Sequence, residues 1–554
     1  MATEGREAHM KKWAWLFGLL SLLLVVSASG ESLPPDYPMD EGGERIVNDV
    51  QRTPVPTNDA YRVFYEIFVG SFSDSNGDGI GDLRGIINRM DYLNDGDPAS
   101  GKSLGVEGLW LTPIFASPSY HKYDVTDYYA IDPAFGTMDD LRELLRVCHE
   151  RNVWVILDLP INHTSRDNRW FQRFRNARLM GNTNSEYYDF YVSCPAGSVV
   201  PAGRHFSPLP GQPLMYEANF SDNMPEPDFD HPFVRQTMLD VALYYLDLGV
   251  DGFRFDAAKY IYLGEIGRNA DFWQWYIGEL KKVKPDVYTV AEVWDSDGII
   301  EQYIPAVNCF HFTGAQAEGL FASTAKQGDV NRLTAYTEKY LKRIAALRPD
   351  AMMMPFLSNH DMDRCAGYLT AASGNLKMAA NLYLLSPGSP FLYYGEEIAL
   401  RGSRGGSNTD ANRRLAMLWG DGDTVRDPEG ATYDLKKQTP YSAEALKGVS
   451  DSIYTYYKRL LMLRAANPEI ARGQYTALSL PGTKVGGFTA AWQGKTVGVL
   501  HNTTLHDKTV TLLGIPALSG FILSDSIGLG KAAQSGDTLL LPAQTTAILR
   551  EAND

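Results

Sequence analysis

The sequence is poor in cysteine and contains no cysteine-based metal motif. Its four cysteines are Cys148, Cys194, Cys309 and Cys365. This number excludes a disulfide-dense scaffold, and no C-x-x-C pair or cysteine–histidine spacing typical of zinc sites is present. An even count in an exported chain permits two disulfides, but the sequence does not choose between disulfides and buried free thiols. We therefore do not expect cysteine chemistry to carry the function.

The chain also has too little positive charge for a nucleic-acid partner. It contains 51 Lys and Arg against 67 Asp and Glu, which gives a net charge of −16 at pH 7. Because affinity for nucleic acid depends on a basic surface that releases counterions, we expect no such partner. Hydrophobic residues make up 44% and charged residues 21% of the 554 residues. This composition is typical of a globular protein and argues against a disordered chain.

The apolar run near the N-terminus is too short to span a membrane. Trp13–Val26 follows Lys11 and Lys12 and precedes small residues at 27–30. As a helix it would rise about 21 Å, against a hydrocarbon core of about 30 Å. The pattern predicts a secretory signal peptide over residues 1–30, with a membrane anchor as the alternative. We therefore expect a secreted protein, extracellular or periplasmic, with no stable membrane insertion after signal removal. Separately, we expect a monomer.

Eight short apolar segments alternate with helical patterns through the middle of the chain. They are Val63–Val69, Gly105–Leu111, Val153–Leu159, Asp251–Phe255, Val287–Val293, Ala306–Phe312, Met354–Leu357 and Pro390–Tyr394. Such alternation is typical of a parallel sheet covered by helices, and eight strands are the number that closes a barrel. The sequence therefore predicts an α/β protein with a (β/α)8 TIM barrel. A doubly wound open sheet is the alternative.

Other regions flank or interrupt this pattern. Residues 31–57 are rich in proline, glycine and acidic residues, which predicts an extended lead-in. The barrel is predicted to occupy residues 58–161 and 232–466. The intervening residues 162–231 are too many for a structureless loop and predict a small inserted domain, domain B, after strand three. Short alternating segments in residues 467–554 predict a C-terminal antiparallel β-sandwich domain.

Acidic residues follow several of the predicted strands. The carboxyl ends of strands in a parallel barrel meet at one face, where active sites lie. The acidic residues at these ends are Asp158, Asp256, Glu292 and Asp361, and two histidines accompany them, His163 and His360. Converging carboxylates without a redox group suit glycoside hydrolysis, in which one acid attacks the anomeric carbon and another protonates the leaving oxygen. Metal-assisted hydrolysis is the competing interpretation, although the histidines lack the i, i+4 spacing of zinc motifs.

Four short blocks around these acids resemble the four conserved blocks of the α-amylase family of glycoside hydrolases. The blocks are Asp158–His163, Gly252–Lys259, Val290–Trp294 and Phe356–Asp361. They follow the family's order on the third, fourth, fifth and seventh predicted strands, and the resemblance covers roughly residues 60–550. The resemblance implies that Asp256 is the nucleophile, Glu292 the general acid/base and Asp361 the third carboxylate that binds and distorts the sugar. It implies a structural role for Asp158.

The resemblance also implies a set of substrate-binding residues. Arg254 would hold Asp256 ionised, because it lies two residues earlier on the same face of the strand. The residues implied to contact sugar are His163, His360, His121, Tyr123 and Lys259. Of these, Tyr123 would stack on the sugar in subsite −1, and Lys259 would bind at subsite +2. If Asp256 is the nucleophile, the anomeric configuration is retained and its carboxyl should lie about 5–5.5 Å from that of Glu292.

Oxygen-bearing residues alternate in a loop after the first predicted strand, as in a calcium-binding loop. They are Asp74, Asn76, Asp78, Ile80 through its carbonyl, and Asp82. The twelfth position from Asp74 is Gly85, so the loop is not a complete EF-hand. A similar loop in many family members binds calcium, so the resemblance implies Ca2+ as a cofactor. It also suggests a second calcium site through Asn162 and Asp228.

The resemblance implies a secreted retaining α-amylase that cleaves internal α-1,4 bonds of starch, glycogen or maltooligosaccharides. Lys259 and the Glu292–Trp294 triplet favour this activity, whereas other features are intermediate between the amylase and oligo-1,6-glucosidase patterns. An oligosaccharide-acting α-glucosidase or a glucanotransferase of the same family is the alternative. A non-catalytic amylase-like binding module is a further alternative, but such modules lack one or more of the three carboxylates.

Overall fold

The computed structural model describes residues 52–369, 374–402, 410–480 and 482–552. The predicted signal peptide and most of the predicted lead-in lie outside these described residues. None of the helices within them combines the length and the apolar character that a bilayer span requires. All four cysteines are within the described ranges, and all four are free thiols.

The first part of the barrel alternates strands with helices in the predicted manner. Its elements are β1 (Phe64–Ile67), α1 (Leu83–Asn88), α2 (Met90–Leu93), β2 (Gly108–Leu111), β3 (Phe115–Ala116), β4 (Asp127–Ile131), α3 (Met138–Glu150) and β5 (Trp154–Leu159). The helix α3 begins with a capping box, in which Thr137 and Asp140 each accept the other's backbone N–H. Its buried residues recur at helical spacing, so one face of α3 packs onto the sheet.

A small sheet follows the third barrel strand. The elements of this segment are α4 (Arg169–Leu179), β6 (Ser193–Pro195), β7 (Phe206–Pro208) and β8 (Leu214–Glu217). The three strands form an antiparallel sheet in the order β6-β8-β7. Aromatic side chains pack between α4 and the sheet, among them Phe171 against Tyr191 and Tyr216 with ring centroids 5.1 and 5.0 Å apart. These elements lie within the segment for which an inserted domain was predicted.

The chain then returns to the barrel. Its elements here are α5 (Pro232–Asp247), β9 (Gly252–Phe255), α6 (Ile266–Val283), β10 (Tyr288–Ala291), α7 (Asp297–Tyr303), β11 (Asn308–Cys309), α8 (Leu320–Ala325), α9 (Val330–Leu347), α10 (Asn375–Leu384) and β12 (Phe391–Tyr393). A Cβ on Gly252 would lie 1.9 Å from the carbonyl oxygen of Tyr288. Glycine is therefore required where β9 approaches β10.

Within the described residues, the parallel strands close into a barrel. Seven strands pair in the order β11-β10-β9-β5-β2-β1-β12, and every pair is parallel. The predicted seventh strand forms single parallel bridges on both sides, from Met354 to Phe310 and from Phe356 to Phe391. Pro355 lies between these bridges and has no N–H to donate, so the ladder stays short. The TIM barrel prediction is confirmed, and an open sheet is excluded.

Three helices lead from the barrel segment into a β-rich region, α11 (Ala443–Lys447), α12 (Ile453–Ala465) and α13 (Glu469–Arg472). The strands of that region are β13 (Gln474–Leu478), β14 (Val485–Trp492), β15 (Lys495–Asn502), β16 (Lys508–Thr511), β17 (Phe521–Gly528), β18 (Ala533–Ser535), β19 (Thr538–Leu541) and β20 (Thr545–Glu551). A five-stranded sheet has the order β13-β14-β15-β20-β17 and a three-stranded sheet the order β16-β19-β18, all antiparallel. Aliphatic residues of both sheets share one buried cluster, which includes Leu500 and Leu539.

Candidate active site

The predicted nucleophile and acid/base follow adjacent strands of the barrel. Asp256 is the residue after β9, and Glu292 is the residue after β10. The parallel register places Phe255 opposite Ala291, so the two acids leave the sheet side by side. Glu292 extends this pairing by donating its backbone N–H to the carbonyl of Phe255 at 2.9 Å. Both carboxylates therefore lie at the carboxyl-end face of the barrel.

One guanidinium contacts three acids at this face. Nη1 of Arg254 lies 2.7 Å from Oδ1 of Asp158 and 2.6 Å from Oδ1 of Asp256. Nη2 of the same residue lies 3.0 Å from Oε2 of Glu292. The Arg254 side chain is completely buried, so its charge is balanced by these carboxylates rather than by water. The single cation of Arg254 thus contacts both carboxylates that are predicted to react, those of Asp256 and Glu292.

The residue after the predicted nucleophile contacts the predicted acid. Ala257 has a φ of 42°, an uncommon left-handed conformation for a residue with a Cβ. In this conformation its N–H donates to Oε2 of Glu292 at 2.9 Å. The N–H of Ala258 then donates to the backbone carbonyl of Glu292 at 3.1 Å. The turn after β9 therefore fixes both the main chain and the side chain of Glu292.

Asp361 is held by a cation on each side. Its Oδ2 lies 3.0 Å from Nε2 of His360, and its Oδ1 lies 2.7 Å from Nη2 of Arg414. Burial favours the protonated acid, but these two cations outweigh it and lower the pKa of Asp361 well below its usual range. Asp361 is therefore a fixed anion in the site.

The pKa values of the other two acids shift in the opposite direction. Burial raises the pKa of Asp256, and the Arg254 charge opposes that rise. Burial also raises the pKa of Glu292; Arg254 again opposes the rise, and the charges of Asp256 and Asp361 add to it. A carboxyl with a raised pKa keeps its proton closer to neutral pH, as a general acid must. The environment of Glu292 is thus suited to protonating a leaving group.

The three acids line one cavity of about 730 Å3. This volume is within the range of small-molecule sites. Other lining residues include two exposed aromatics, Phe220 and Trp294, whose exposed fractions are 46% and 42%. Apolar rings at a polar cavity offer stacking surfaces for the apolar faces of sugars. The structure thus brings the three predicted catalytic acids together around open space.

Two predicted sugar-binding histidines line the same cavity in the neutral state. Nδ1 of His121 accepts the backbone N–H of Tyr123 at 3.1 Å, and Nδ1 of His163 accepts from Nδ2 of Asn162 at 2.8 Å. Burial, with the Arg414 charge acting on His121, lowers the pKa of both histidines to about 4. With Nδ1 accepting, the proton of each ring lies on Nε2. Nε2 of His163 is buried at the wall of the cavity and has no hydrogen-bond partner among the described residues.

The remaining predicted binding residues have different positions. Tyr123 lines the cavity, and its hydroxyl contacts Oδ2 of Asp158 at 2.9 Å and Nε2 of His360 at 2.7 Å. His360 itself is fully buried behind Asp361, so it contacts the acid rather than facing the cavity. Lys259 lies outside the cavity lining, where Nζ forms an ion pair with Asp295 at 2.9 Å and donates to the Trp294 carbonyl at 2.7 Å.

Glu66 and Arg414 belong to the site but were absent from the sequence prediction. Glu66 lies in β1 and contacts His360, and Arg414 contacts Asp361. A lone acid inside the apolar run of β1 was a signal that could have identified Glu66. Arg414 lies 53 residues after Asp361 in the chain, in a segment with no regular pattern. No local spacing indicated that it reaches the site.

The predicted calcium loop is held together by its own side chains. Each of Asp74, Asn76 and Asp78 accepts the backbone N–H two residues later, at 2.8–3.0 Å. Asp82 accepts from the N–H of Ser75 at 2.9 Å and caps α1 through the N–H of Gly85. The donor set of carboxylate, amide and carbonyl oxygens matches the preference of calcium for hard oxygen ligands. These residues therefore fit the ion in chemistry.

The second predicted calcium site is less complete. Oδ1 of Asn162 is buried and has no hydrogen-bond partner among the described residues, so it is open to a cation. Oδ1 of Asp228 accepts the N–H of Asp230 at 3.0 Å. Across the described residues, no group of three or more His, Cys, Asp or Glu side chains is arranged to hold a metal ion. The structure thus leaves calcium at both sites as a prediction.

Comparisons with known proteins agree with this geometry. Residues 66–473 match the family model described as the catalytic domain of alpha amylase. Alpha-amylase 3 of Dictyoglomus thermophilum is 33% identical over 81% of this chain and 85% of that protein. A 4-alpha-glucanotransferase of Thermotoga maritima is 31% identical over 62% of this chain and 74% of that protein. The solved alpha-amylase of H. orenii superposes with a TM-score of 0.76 and 33% identity, covering 89% of this chain and all of that one.

Proposed function

The chain belongs to the α-amylase family of glycoside hydrolases, and from this premise we propose that it is a secreted retaining α-amylase. It would cleave internal α-1,4-glucosidic bonds of starch, glycogen or maltooligosaccharides. The observation that carries the proposal is the cavity lined by Asp256, Glu292 and Asp361, with Arg254 contacting the first two. Two acids that can attack and protonate, with a third beside them, are what a retaining mechanism needs.

The mechanism proceeds in two displacements. In the first, a carboxylate oxygen of Asp256 forms a bond to the anomeric carbon while the bond to the leaving oxygen breaks, and Glu292 donates its proton to that oxygen. The product is a glycosyl ester on Asp256. In the second, the Glu292 carboxylate takes a proton from water, whose oxygen displaces Asp256. Each displacement inverts the anomeric centre, so the product keeps the configuration of the substrate.

The remaining side chains would bind the sugar and stabilise the positive charge of the transition state. Asp361, anionic between His360 and Arg414, would hold ring hydroxyls and favour the positive charge that develops at the transition state. Nε2–H of His163 and Nε2–H of His121 would donate to sugar hydroxyls from one side of the cavity. Tyr123, held at its hydroxyl by Asp158, would present its ring to the sugar face.

Several observations favour internal cleavage by hydrolysis. Phe220 and Trp294 line the cavity and are exposed, so they would offer stacking surfaces to further sugar rings of a long substrate. The alpha-amylases of D. thermophilum and H. orenii are both 33% identical to this chain. A glucanotransferase or an oligosaccharide-acting α-glucosidase is the second candidate, favoured by the similarity to the T. maritima glucanotransferase. The retention of all three carboxylates argues against a non-catalytic binding module.

Calcium would stabilise the loop of Asp74, Asn76, Asp78, Ile80 and Asp82 without entering the chemistry. The reason is that the three carboxylates of this short loop, those of Asp74, Asp78 and Asp82, repel one another unless a cation neutralises them. Thr424 donates to Asp74 at 2.6 Å, and Asp423 accepts the N–H of Asp74 at 3.2 Å. Ordering of this loop would therefore extend to the segment that contains Thr424. A second ion at Asn162 and Asp228 is proposed on the buried free oxygen of Asn162.

The proposed secretion and the absence of a nucleic-acid partner rest on the sequence. The n-region, apolar run and small residues of 1–30 support export, which matches a polymeric substrate that cannot enter a cell intact. We do not expect a nucleic-acid partner for a chain of net charge −16.

The proposal is tested by following products from soluble starch and from maltotriose over time. Mixed maltooligosaccharides that appear early from starch, with a fast fall in iodine staining, are expected for internal cleavage. Glucose as the only early product would contradict internal cleavage and favour an α-glucosidase. Products longer than the substrate from maltotriose would favour a glucanotransferase.

A further inference from the structure

A buried acid on the first barrel strand forms the far end of a hydrogen-bonded chain that leads to the active site. Glu66 lies in β1, pairs in register with Trp110 of β2 and Tyr393 of β12, and is 1% exposed. Its neighbours in the strand are apolar or aromatic. A carboxylate in such a place costs free energy unless it is paired. The role of the Glu66 charge therefore depends on the group that Glu66 pairs with.

That partner is His360. Oε1 of Glu66 accepts from Nδ1 of His360 at 2.6 Å and from the backbone N–H of the same residue at 3.2 Å. One oxygen thus fixes both the ring and the main chain of His360. The arrangement sets the ring orientation directly before Asp361.

The second ring nitrogen of His360 also contacts a carboxylate. Nε2 lies 3.0 Å from Oδ2 of Asp361. A carboxylate within 3.0 Å of each ring nitrogen favours a proton on both nitrogens, because an ionised carboxylate accepts hydrogen bonds and does not donate them. The geometry therefore favours a doubly protonated, positively charged imidazole between Glu66 and Asp361. The hydroxyl of Tyr123, 2.7 Å from Nε2, then accepts from the same N–H and donates to Asp158.

We infer that Glu66 is a positioning residue, which keeps His360 cationic and thereby fixes the place and charge of Asp361 for sugar binding. The inference rests on the proposed function, because its consequence is a better-held third carboxylate in a glucan-cleaving site. Glu66 acts through His360 and does not line the cavity. Its role is distinct from that of Arg414, which contacts the other oxygen of Asp361.

The charged groups around His360 support this balance. Those that face it from the elements packed against it are Glu66, Tyr123, Asp158, Arg254, Asp256, Asp361 and Arg414. Burial opposes the charged ring, but Asp361 and Glu66 outweigh it and raise the pKa of His360 to about 10. Without the Glu66 charge, the His360 ring keeps one of the two carboxylates that contact it, that of Asp361, while Arg254 and Arg414 remain nearby. The pKa of His360 should then fall.

The variant that separates charge from shape is Glu66→Gln. Glutamine keeps an oxygen that can accept the Nδ1–H and backbone N–H of His360 but removes the negative charge. The matched control is Glu397→Gln. Glu397 is also fully buried and accepts from two tyrosine hydroxyls, Tyr65 and Tyr92, at 2.7 Å, but it does not contact His360. Both variants remove one buried carboxylate, and only the first should affect the site.

The direct measurement is a histidine 15N NMR titration, with His360 assigned from His360→Asn. In the wild-type protein both ring nitrogens of His360 should carry protons at pH 8. In Glu66→Gln the titration midpoint should be at least about one pH unit lower. In Glu397→Gln it should stay at the wild-type value. A wild-type His360 that is neutral at pH 8 would overturn the inference without any variant.

The kinetic measurement is the ratio of wild-type to Glu66→Gln kcat/KM on a chromogenic maltooligosaccharide from pH 5 to pH 10.5. The ratio should grow toward about tenfold at the alkaline end, since a His360 midpoint lowered by about one pH unit corresponds to a tenfold change, or about 1.4 kcal/mol. At pH 5 the ring is protonated in both proteins and the ratio should be small. A ratio independent of pH would mean a merely structural role and would contradict the inference.

The two measurements separate this inference from the proposed function. If the wild-type protein cleaves no α-glucan but His360 titrates as described, the proposed function fails and the positioning role of Glu66 stands. If the protein is an active amylase and Glu66→Gln changes neither the His360 midpoint nor the pH dependence of the ratio, the positioning role fails and the function stands.

Discussion

The backbone N–H of Ala257 donates to Oε2 of Glu292 across 2.9 Å. Ala257 follows the proposed nucleophile in the chain and thus holds the proposed acid/base, although the two acids follow different strands. The left-handed φ of Ala257 aims the N–H in this direction, and such strain is typical of functional sites. The positions of Asp256 and Glu292, the two proposed catalytic acids, are therefore coupled through one peptide unit as well as through Arg254.

Glu292→Gln should lower kcat for glucan cleavage by about 10²–10⁴-fold, because an amide cannot protonate the leaving oxygen or activate water. Substrates with an activated aryl leaving group need less protonation, so their first displacement should be less impaired. Added azide should raise turnover of such a substrate, because the azide anion attacks the glycosyl enzyme without a general base. Glycosyl azide is the product to measure.

The matched control is Glu318→Gln, which alters another acid that lines the cavity without a predicted role in proton transfer. It should retain the pH profile of the wild-type protein and should show no azide effect. An azide effect of equal size in both variants would contradict the acid/base assignment of Glu292.

The free energy of unfolding should fall as the pH rises from weakly acidic to alkaline values, and Glu226 should account for part of this fall. Burial, aided by the charge of Glu217, raises the pKa of Glu226 from 4.5 to about 8. A raised carboxyl pKa means that the folded state holds the proton more tightly. The contribution of Glu226 to the free energy of unfolding is therefore fully present below pH 4.5 and is lost as the pH rises through 8. Glutamine at this position can still accept from Asn219, which donates to Oε1 of Glu226 at 2.8 Å.

Glu226→Gln should accordingly gain stability relative to the wild-type protein as the pH rises. The difference in unfolding temperature, variant minus wild type, should be at least about 2 °C more positive at pH 9 than at pH 5, since 1 kcal/mol corresponds to a few degrees. The exposed Glu444→Gln should show no such trend. A constant difference for Glu226→Gln at both pH values would contradict the buried, protonated state.

Removal of calcium should destabilise the protein. Addition of a chelator should lower the unfolding temperature, and calcium in excess should restore it, because a bound ion stabilises the folded state by mass action. Asp78→Ala should reduce this response, since it removes one of the predicted oxygen ligands. Thermal unfolding with and without calcium measures the effect directly.

The control for this loop is Asp97→Ala. Asp97 also accepts a backbone N–H two residues later, from Ala99 at 2.9 Å, in an exposed turn outside the predicted calcium loop. Its loss should leave the calcium response intact. An Asp78→Ala protein with the full wild-type response to calcium would contradict the assignment of the loop.

The fold and the three acids could be predicted because both follow local rules. Alternating strands and helices predict a barrel, and a parallel barrel collects the residues at its strand ends on one face. Asp256 and Glu292 each directly follow a strand, so the strand pattern alone is enough to predict that they meet. The predicted seventh strand, Met354–Leu357, forms two single bridges rather than a continuous ladder, because Pro355 between them has no N–H to donate.

Other parts of the site depend on contacts that no local pattern records. Arg414 reaches Asp361 from an irregular segment, and Glu66 reaches His360 across 294 residues of chain. The ring of His360, which was predicted to contact the sugar, contacts Glu66 and Asp361. These two partners were not predicted, because ring orientation is set by tertiary contacts. Similarly, Lys259 forms its ion pair with Asp295 outside the cavity lining.

The central claim is a covalent glycosyl ester on Asp256, and the most direct test is to trap it. A 5-fluoro-α-glucosyl fluoride, whose ring fluorine slows both displacements while the fluoride leaving group keeps the first one fast, should accumulate the ester. Mass spectrometry of the intact protein and then of its peptides should find one added fluoroglucosyl group, on Asp256. An enzyme that turns over glucans but carries no adduct, or carries it on another residue, would contradict the account.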